Sequence, residues 1–298
     1  MPGYPQPFPA RPTTSQLVSL LASNPLLQKI VLRGAAIPSD NDTSSIRVPL
    51  YDLKTLELTG KLRDVIRLFH RLDHPRRMDS LKLTLNDCSA EEISQLVEPC
   101  LRHCLGGHGR SQHGLGLFLS FRHNLSLHIG DVHGINPLLR RMDTFMVITI
   151  ESTDIQRRHA NEEVVLDLLV HVPREEIVHL QTKNDDGIAR KVYPLFSNLR
   201  ALSFASGYPC TMFPEPDLDK DKEILVSLQH LSFQDLFLGP GDWKPLVDFL
   251  AYRASSGNRL DTVEISDSSH MPPGVMRVIG GMVRELGLDR QRPILIQM

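Results

Sequence analysis

The 298-residue chain is poor in cysteine and has no long apolar run. Its four cysteines are too few for the disulfide framework of a small secreted protein. No stretch of about 18 apolar residues is present that could span a bilayer. The segment from Met1 to Pro12 contains five prolines and lacks the apolar core of a signal peptide. We therefore expect a protein of the cytoplasm or nucleus that has no membrane partner.

The chain also lacks a net charge of either sign and is poor in aromatic residues. Its 33 Lys and Arg residues nearly balance its 35 Asp and Glu residues, which removes a general attraction to nucleic acid. The charge is unevenly placed, because residues 61–142 carry a balance of +4 and residues 212–270 a balance of -6. Solvated helix faces account for most such cases; as a functional feature, this polarity indicates a partner of complementary charge.

What the chain does have is a six-residue apolar pattern that recurs to its C-terminus. Each copy has apolar residues at its first, fourth and sixth positions, and the copies lie about 29 residues apart, as in leucine-rich repeats. The clear copies occupy residues 27–32, 53–58, 78–83, 199–204, 228–233 and 260–265. Weaker copies are centred on Leu117, Phe145, Leu180 and Ile294.

Helical patterns separate these short strands. Their apolar stripes cover residues 62–72, 93–105, 243–250 and 275–286, and Gly287 is expected to end the last one. A strand with a one-sided helix cannot bury its apolar face alone, whereas stacked neighbours share a continuous core. The predicted fold class is therefore α/β, a curved leucine-rich-repeat solenoid with parallel strands on its concave face and helices on its convex face. A doubly wound α/β domain is the alternative.

The predicted domain organisation follows from the extent of the repeats. Residues 1–13 are expected to be a disordered, Pro-rich N-terminus, and residues 14–298 a single solenoid of about ten irregular units. Two short apolar segments near 117–129 predict a hairpin inserted into the stack. Residues 206–221 mix Gly, Pro and acidic side chains and predict a surface loop. We expect the protein to be a monomer.

The later repeats carry a resemblance to a known family. The relevant strings are Leu-Arg-Ala-Leu-Ser-Phe from Leu199, Leu-Gln-His-Leu-Ser-Phe from Leu228, and Trp-Lys-Pro-Leu-Val-Asp-Phe-Leu-Ala-Tyr-Arg from Trp243, followed by Gly257 and Leu260. They resemble the C-terminal leucine-rich-repeat half of fungal F-box-like proteins, over about residues 14–298.

This resemblance implies a non-enzymatic function. It implies that the chain is the substrate-binding repeat region of an F-box-type ubiquitin ligase subunit. Residues 1–25 contain no F-box motif, so a cullin-ligase adaptor is expected as a partner only if an F-box lies upstream. A repeat-only scaffold protein without ligase association is an alternative.

A histidine-rich stretch offers a second alternative, a metal-dependent enzyme using residues 103–133. Six of the thirteen histidines lie there, close to Cys100 and Cys104: His103, His108, His113, His123, His128 and His133. Their spacing fits the tight ligand pairs of a zinc site only loosely, and both cysteines fall on an apolar helix stripe. No Gly-x-Ser-x-Gly or Gly-Lys-Ser/Thr motif is present. We therefore expect no catalytic residue, no metal and no cofactor.

Strand alternation identifies the surface that we expect to bind the partner. Successive side chains of a strand point to opposite faces, so the neighbours of the repeated apolar residues point to the concave face. These partner-binding candidates are Glu57, Thr59, Lys82, Thr84, Ser203, Ser232, Gln234, Glu264 and Ser266. They are small, polar and varied, which suits recognition of a protein or peptide. They equally suit the plain solvent-facing side of a sheet.

Overall fold

The fold is mixed α/β, with mostly parallel strands and few helices. The computed structural model describes residues 12–39, 46–73, 78–86, 88, 92–93, 114–121, 124–133, 141–151, 165–185, 189–207, 225–236, 243–266 and 271–289. The chain divides into two compact units, Met1–Gly109 with Phe145–His171, and Arg110–Thr144 with Val172–Met298. Each unit is described separately below.

Short strands make up most of the regular structure in the described residues. The strands are β1 (Lys29–Arg33), β2 (Val48–Pro49), β3 (Thr55–Lys61), β4 (Leu72–Asp73), β5 (Ser80–Asn86), β6 (Leu115–Phe121), β7 (Leu125–His133), β8 (Arg141–Glu151), β9 (Ile177–Asp185), β10 (Ala201–Gly207), β11 (His230–Leu236), β12 (Thr262–Ser266) and β13 (Glu285–Asp289). The helices are α1 (Thr14–Ala22), α2 (Leu62–Arg71), α3 (Ala189–Val192), α4 (Lys244–Ser255) and α5 (Pro273–Met282). Residues 165–170 are also helical.

In the first unit, three strands and the later part of β8 pair in the order β1, β3, β5, β8, all parallel. The fourth position of each repeat stands opposite its counterpart, so Ile30, Leu56 and Leu81 form one row. All three are buried. Strands β2 and β4 pair with each other in parallel. Helix α2 contacts β3 and β5 and buries the stripe that includes Val65, as its apolar spacing predicted.

Helix α1 of the first unit starts at a capping box. The side-chain oxygen of Thr13 accepts a hydrogen bond from the backbone N–H of Gln16 at 3.2 Å, and the side-chain oxygen of Gln16 accepts one from the N–H of Thr13 at 2.9 Å. These bonds satisfy two backbone donors that the first turn leaves free. Of the predicted disordered segment 1–13, residues 1–11 lie outside the described residues.

In the second unit, the strands pair in the order β7, β6, β9, β10, β11, β12, β13, and every pair except β7 with β6 is parallel. The equivalent apolar residues of these strands again stand opposite one another. From β6 to β13 they are Leu117, Leu180, Leu202, Leu231, Val263 and Leu286, each at most 4% exposed. In the next row the rings of Phe204 and Phe233 stack, with centroids 5.5 Å apart. These rows form the core of the unit.

A repeated turn sets the phase of each strand. The N–H of Leu53, Leu199 and Leu228, each the first leucine of its repeat, bonds to the carbonyl three residues earlier. Two consecutive N–H groups, those of the last residue before a strand and of the first residue in it, then share one carbonyl of the preceding repeat. This occurs for Lys54 and Thr55 on Gln28, for Gln229 and His230 on Arg200, and for Asp261 and Thr262 on Gln229. The backbone therefore repeats together with the apolar pattern.

Arg253, the last residue of the resemblance string from Trp243, ties α4 to the turn before β11. Its side chain is buried, and its two terminal nitrogens donate hydrogen bonds to the carbonyls of Leu225 and Leu228 at 2.5 and 2.7 Å. Leu225 has a φ of 63°, in the left-handed region that a leucine rarely adopts. Burial lowers the pKa of Arg253 below its ordinary value. Helix α4 ends at Ser255, and Gly257, two residues later, has a φ of 77°, which a glycine adopts without strain.

Several details differ from the sequence-based expectations. The predicted helix 275–286 is too long, because α5 ends at Met282 and Leu286 and Gly287 belong to β13. The copy centred on Phe145 is displaced by one residue, since Met146 is the residue opposite Leu81. The Ile294 copy lies outside the described residues.

The segment near 117–129 is an antiparallel pair of β6 and β7. Strand β6 also pairs in parallel with β9, so this arm of the hairpin is a strand of the sheet and does not protrude from it. Most of the predicted helix 93–105 and of the predicted loop 206–221 lies outside the described residues.

We predict that Leu231→Ala lowers the free energy of unfolding by about 2 to 5 kcal/mol, because it removes a large side chain from a filled core row. Gln234→Ala, three residues along the same strand and exposed, should change it by less than about 0.5 kcal/mol. Urea unfolding of both variants measures the difference. Equal losses would contradict the strand polarity described above.

We predict that Arg253→Met lowers the free energy of unfolding by about 3 kcal/mol, because two buried carbonyls lose a charged hydrogen-bond donor. Arg277→Met is the matched control, since Arg277 is an exposed arginine on the neighbouring helix α5. The control should stay within about 0.5 kcal/mol of the unchanged protein. Thermal unfolding at matched pH compares the two variants. If Arg253→Met leaves the stability unchanged, the hydrogen bonds of Arg253 do not stabilise the turn before β11.

Candidate functional site

The polar face of the second unit carries the candidate site. Gln181, Ser203, Ser232 and Glu264 stand opposite one another on β9, β10, β11 and β12, and we call these four residues the polar row. They lie on one face because each follows a core residue of its strand, and the strands are in register.

The nine sequence-predicted candidates fall within the two units and differ in exposure. Lys82 and Gln234 are exposed, whereas Thr84 and Glu264 are buried. The other five are half-buried: Glu57, Thr59, Ser203, Ser232 and Ser266. Neighbouring strands crowd these positions, so a side chain on the polar face of a sheet is not automatically solvent-exposed. Burial singles out Glu264, since it is a carboxylic acid.

In the first unit, two of the candidates, Glu57 and Lys82, contact each other. Glu57 accepts a hydrogen bond from Arg33 at 2.8 Å, and the Nζ of Lys82 lies 3.7 Å from the same carboxylate oxygen. Lys82 stands directly opposite Glu57 on the adjacent strand. Cross-strand pairs of this kind add little stability where they are exposed. The charge of the Glu57 carboxylate is therefore already balanced by Arg33 and Lys82.

A pocket opens on the polar face of the second unit. It is a shallow pocket that opens to solvent: its enclosed space is about 10 Å³, enough for one water-sized group, and its side-chain lining includes His179, Ser203, His230, Ser232 and Glu264. The register explains it. Ala201 stands opposite His179 on one side and opposite His230 on the other. A methyl group between two imidazole rings leaves a depression.

Two histidines of this pocket are absent from the sequence-based candidates. His179 and His230 occupy outward positions two residues before Gln181 and Ser232. Extending the same alternation by two positions toward the start of each strand would have found them. The Nε2 of His179 lies 3.1 Å from the Oγ of Ser203, within hydrogen-bonding distance. The pocket wall therefore includes a bonded pair of polar side chains.

Glu264 is the most unusual group of the site. Only 7% of the residue is exposed, and its Oε1 has no hydrogen-bond partner among the described residues. Burial, and secondarily the charge of Glu285 on β13, raises the pKa of Glu264 to about 7. Gly287 stands opposite it, and the Cγ of Glu264 lies 3.4 Å from where a Cβ at that glycine would be. The missing side chain at 287 therefore makes room for the stem of Glu264.

The serine and histidine of the pocket do not form a triad with this glutamate. His179 and Glu264 lie on strands three positions apart, which corresponds to about 14 Å at the usual strand spacing. Glu264 is therefore too far away to orient the imidazole of His179. The strand that carries Ser203 is paired on both sides, so its backbone N–H groups are used by the sheet and are not available to an oxyanion. The arrangement suits binding better than acyl transfer.

The histidine-rich alternative is only partly within reach of the structure. His103, His108, His113 and His123 lie outside the described residues, as do Cys100 and Cys104. His128 packs edge-on against Phe118, with ring centroids 5.0 Å apart. In the part of the chain that the structure describes, no three His, Cys, Asp or Glu side chains cluster so that they could hold a metal. A metal-dependent enzyme remains a prediction from sequence.

Comparisons with protein-family models, with curated proteins and with solved structures find no match for this chain. Among the described residues, no helix combines the length and the apolar character that crossing a membrane requires.

We predict that the Glu264→Gln variant is more stable than the unchanged protein at pH 8 and that its advantage shrinks toward pH 5. The pKa of Glu264 in the folded state, about 7, exceeds the ordinary value of 4.5. The folded state thus holds a proton that the unfolded state releases, and the free energy of unfolding falls as the pH rises from 4.5 past 7. Above pH 7 the cost is on the order of 3 kcal/mol.

Urea unfolding of both proteins from pH 5 to pH 8 measures this effect. Glu175→Gln, at an exposed carboxylate before β9, is the control and should shift stability by less than about 0.5 kcal/mol at each pH. A stability difference between Glu264→Gln and the unchanged protein that does not depend on pH would contradict the prediction.

Proposed function

We propose that this chain is a non-enzymatic protein-recognition module, a leucine-rich-repeat solenoid that binds a protein or peptide through the outward side chains of its parallel strands. The observation that carries the proposal is the polar row, in which Gln181, Ser203, Ser232 and Glu264 stand in one register across four strands. Such a row offers several hydrogen-bonding groups in fixed positions.

The order of the strands favours a solenoid over a doubly wound domain. In the second unit, β9 to β13 are neighbours in the same order in which they follow along the chain. A doubly wound sheet reverses its strand order at a switch point, where its ligand binds, and β9 to β13 contain no such reversal. The shared carbonyls of Arg200 and Gln229 repeat from one strand to the next, as expected when each repeat packs only on its neighbours.

Recognition suits this face better than catalysis for a physical reason. The core rows beneath it are filled, and every strand from β9 to β12 is paired on both sides. Side chains on such a support lose little further freedom when a partner binds, which favours affinity. The serines and the glutamine supply adaptable donors and acceptors, and no oxyanion site stands beside the hydroxyl of Ser203.

The resemblance to F-box-like proteins extends the proposal to a process. By that resemblance, the module selects substrates for a cullin-type ubiquitin ligase in the cytoplasm or nucleus, provided that an F-box lies upstream. Arg253, the last residue of the resemblance string, has a structural role in the turn between repeats. The string is therefore consistent with a repeat architecture and does not itself contact a partner.

Photo-cross-linking tests the proposed binding face. We predict that benzoylphenylalanine in place of the exposed Gln234 gives a discrete protein adduct in cells that make the chain, because this position lies two residues beyond Ser232 on the same face of β11. The same group in place of Arg277 on α5 should give no such adduct. Ser232→Arg, added to the Gln234 cross-linker, should remove the adduct through bulk and charge, and a cooperative thermal unfolding transition checks that this variant is folded.

Equal adducts from Gln234 and Arg277, or an adduct that survives Ser232→Arg, would overturn the assignment of the face. The ligase part is tested separately. If the adaptor of a cullin ligase does not co-purify with the full gene product, the ligase role is wrong even where the adduct forms.

A further inference from the structure

We propose that the pocket beside Glu264 receives a basic side chain of the bound protein, either the ammonium group of a lysine or the guanidinium group of an arginine. This inference rests on the proposed recognition function and names the partner chemistry that its central pocket selects.

The carboxylate of Glu264 lacks a hydrogen-bond partner on one of its oxygens within the described residues. Glu264 is more than nine-tenths buried, lines the pocket, and has an Oε1 with no hydrogen-bond partner in the part of the chain that is described. A buried carboxylate without a partner is costly, because it gives up water and gains nothing in return. The missing partner must be a hydrogen-bond donor, and a cationic donor compensates the charge as well.

The other side chains that line the pocket also suit a basic group. The hydroxyl groups of Ser203 and Ser232 face the same space, and each can accept a hydrogen bond from an N–H group. The methyl group of Ala201 adds an apolar contact for the methylene stem that lysine and arginine share. Among the described side chains that line the pocket, Glu264 is the only carboxylate and none is a lysine or arginine.

An anion, a metal ion or a neutral amide would fit the pocket less well than a basic side chain. An anion would lie against the carboxylate of Glu264 and is disfavoured wherever that group is ionised. A metal ion would require at least three ligands, and the described side chains contain no such group. A neutral amide would satisfy the acceptor without offsetting its charge. A single basic side chain therefore fits best.

The ionisable groups around Glu264 all act on the binding in the same direction: affinity for a basic side chain increases as the pH rises. Ser232 on β11 and Gly287 on β13 stand directly opposite Glu264 and carry no charge. His230 and His179 share the pocket with it, and the charge of Glu285 on β13 acts on it as well. A bound cation holds Glu264 ionised, so protonation of the carboxylate competes with binding. Protonation of either histidine would add a positive charge and oppose the cation as well. Affinity for a basic side chain should therefore rise about tenfold from pH 6 to pH 8, as for a group titrating near 7.

The test uses the full chain and four small probes followed by amide NMR. N-acetyl-lysine methylamide and N-acetyl-arginine methylamide should shift the signals of residues 203, 232 and 264 saturably at pH 8. The matched neutral probes, N-acetyl-norleucine methylamide and N-acetyl-citrulline methylamide, should not. Glu264→Gln should weaken the basic probes at least tenfold, whereas Glu175→Gln should leave their affinity within twofold.

Three results would overturn the inference: equal shifts from the neutral probes, affinity that is constant or falls from pH 6 to pH 8, or undiminished binding by Glu264→Gln. The first two are measured on the unchanged protein, so they hold even if the variant does not fold. A cross-link from Gln234 together with silent basic probes would refute the pocket and keep the recognition function. Binding of the basic probes without any cross-link from Gln234 would support the pocket and refute the proposed recognition function.

Discussion

The register of the parallel strands is the constraint on which both the core and the candidate site depend. In the second unit, Leu202 stands opposite Leu231 and Ser203 opposite Ser232, so one alignment places apolar groups on one face and polar groups on the other. A slip by one residue would exchange the two faces of a strand. The alignment is held at the start of the strand, where Gln229 and His230 share the carbonyl of Arg200. A backbone turn therefore sets which side chains a partner can meet.

Much of this alignment can be predicted from the sequence, because leucine and phenylalanine alternate with polar residues in the clear repeats. The prediction fails where that contrast disappears. In β8 the run from Phe145 to Ile148 is apolar throughout, so no alternation fixes the phase and the predicted centre is one residue early. At the C-terminal end, Val283 and Leu286 continue the spacing of α5, although they follow its last residue. Apolar spacing alone does not locate the end of that helix.

The site was less predictable than the fold, because its pocket depends on which residues stand opposite one another on neighbouring strands. Alternation correctly placed Ser203 and Ser232 on the polar face, but the pocket arises from the size of a neighbour across the strands. Ala201 is small where His179 and His230 are large, and this relation appears only once the register is known. The burial of Glu264 likewise depends on Gly287, which is distant in sequence from the other pocket residues. Cross-strand neighbours, and not local sequence, determine both features.

The buried carboxylate of Glu264 connects the stability of the sheet with its proposed function. Near pH 7 the unpartnered group opposes folding, and glutamine would fill the same space without a charge. Among the described side chains that line the pocket, none is a lysine or arginine, in contrast to the surroundings of Glu57, which Arg33 and Lys82 already neutralise. A compensating cation must therefore come from outside the sheet. In the proposed complex, a basic side chain of the partner offsets the cost of burying this carboxylate, so the same group would weaken the free sheet and favour the bound one.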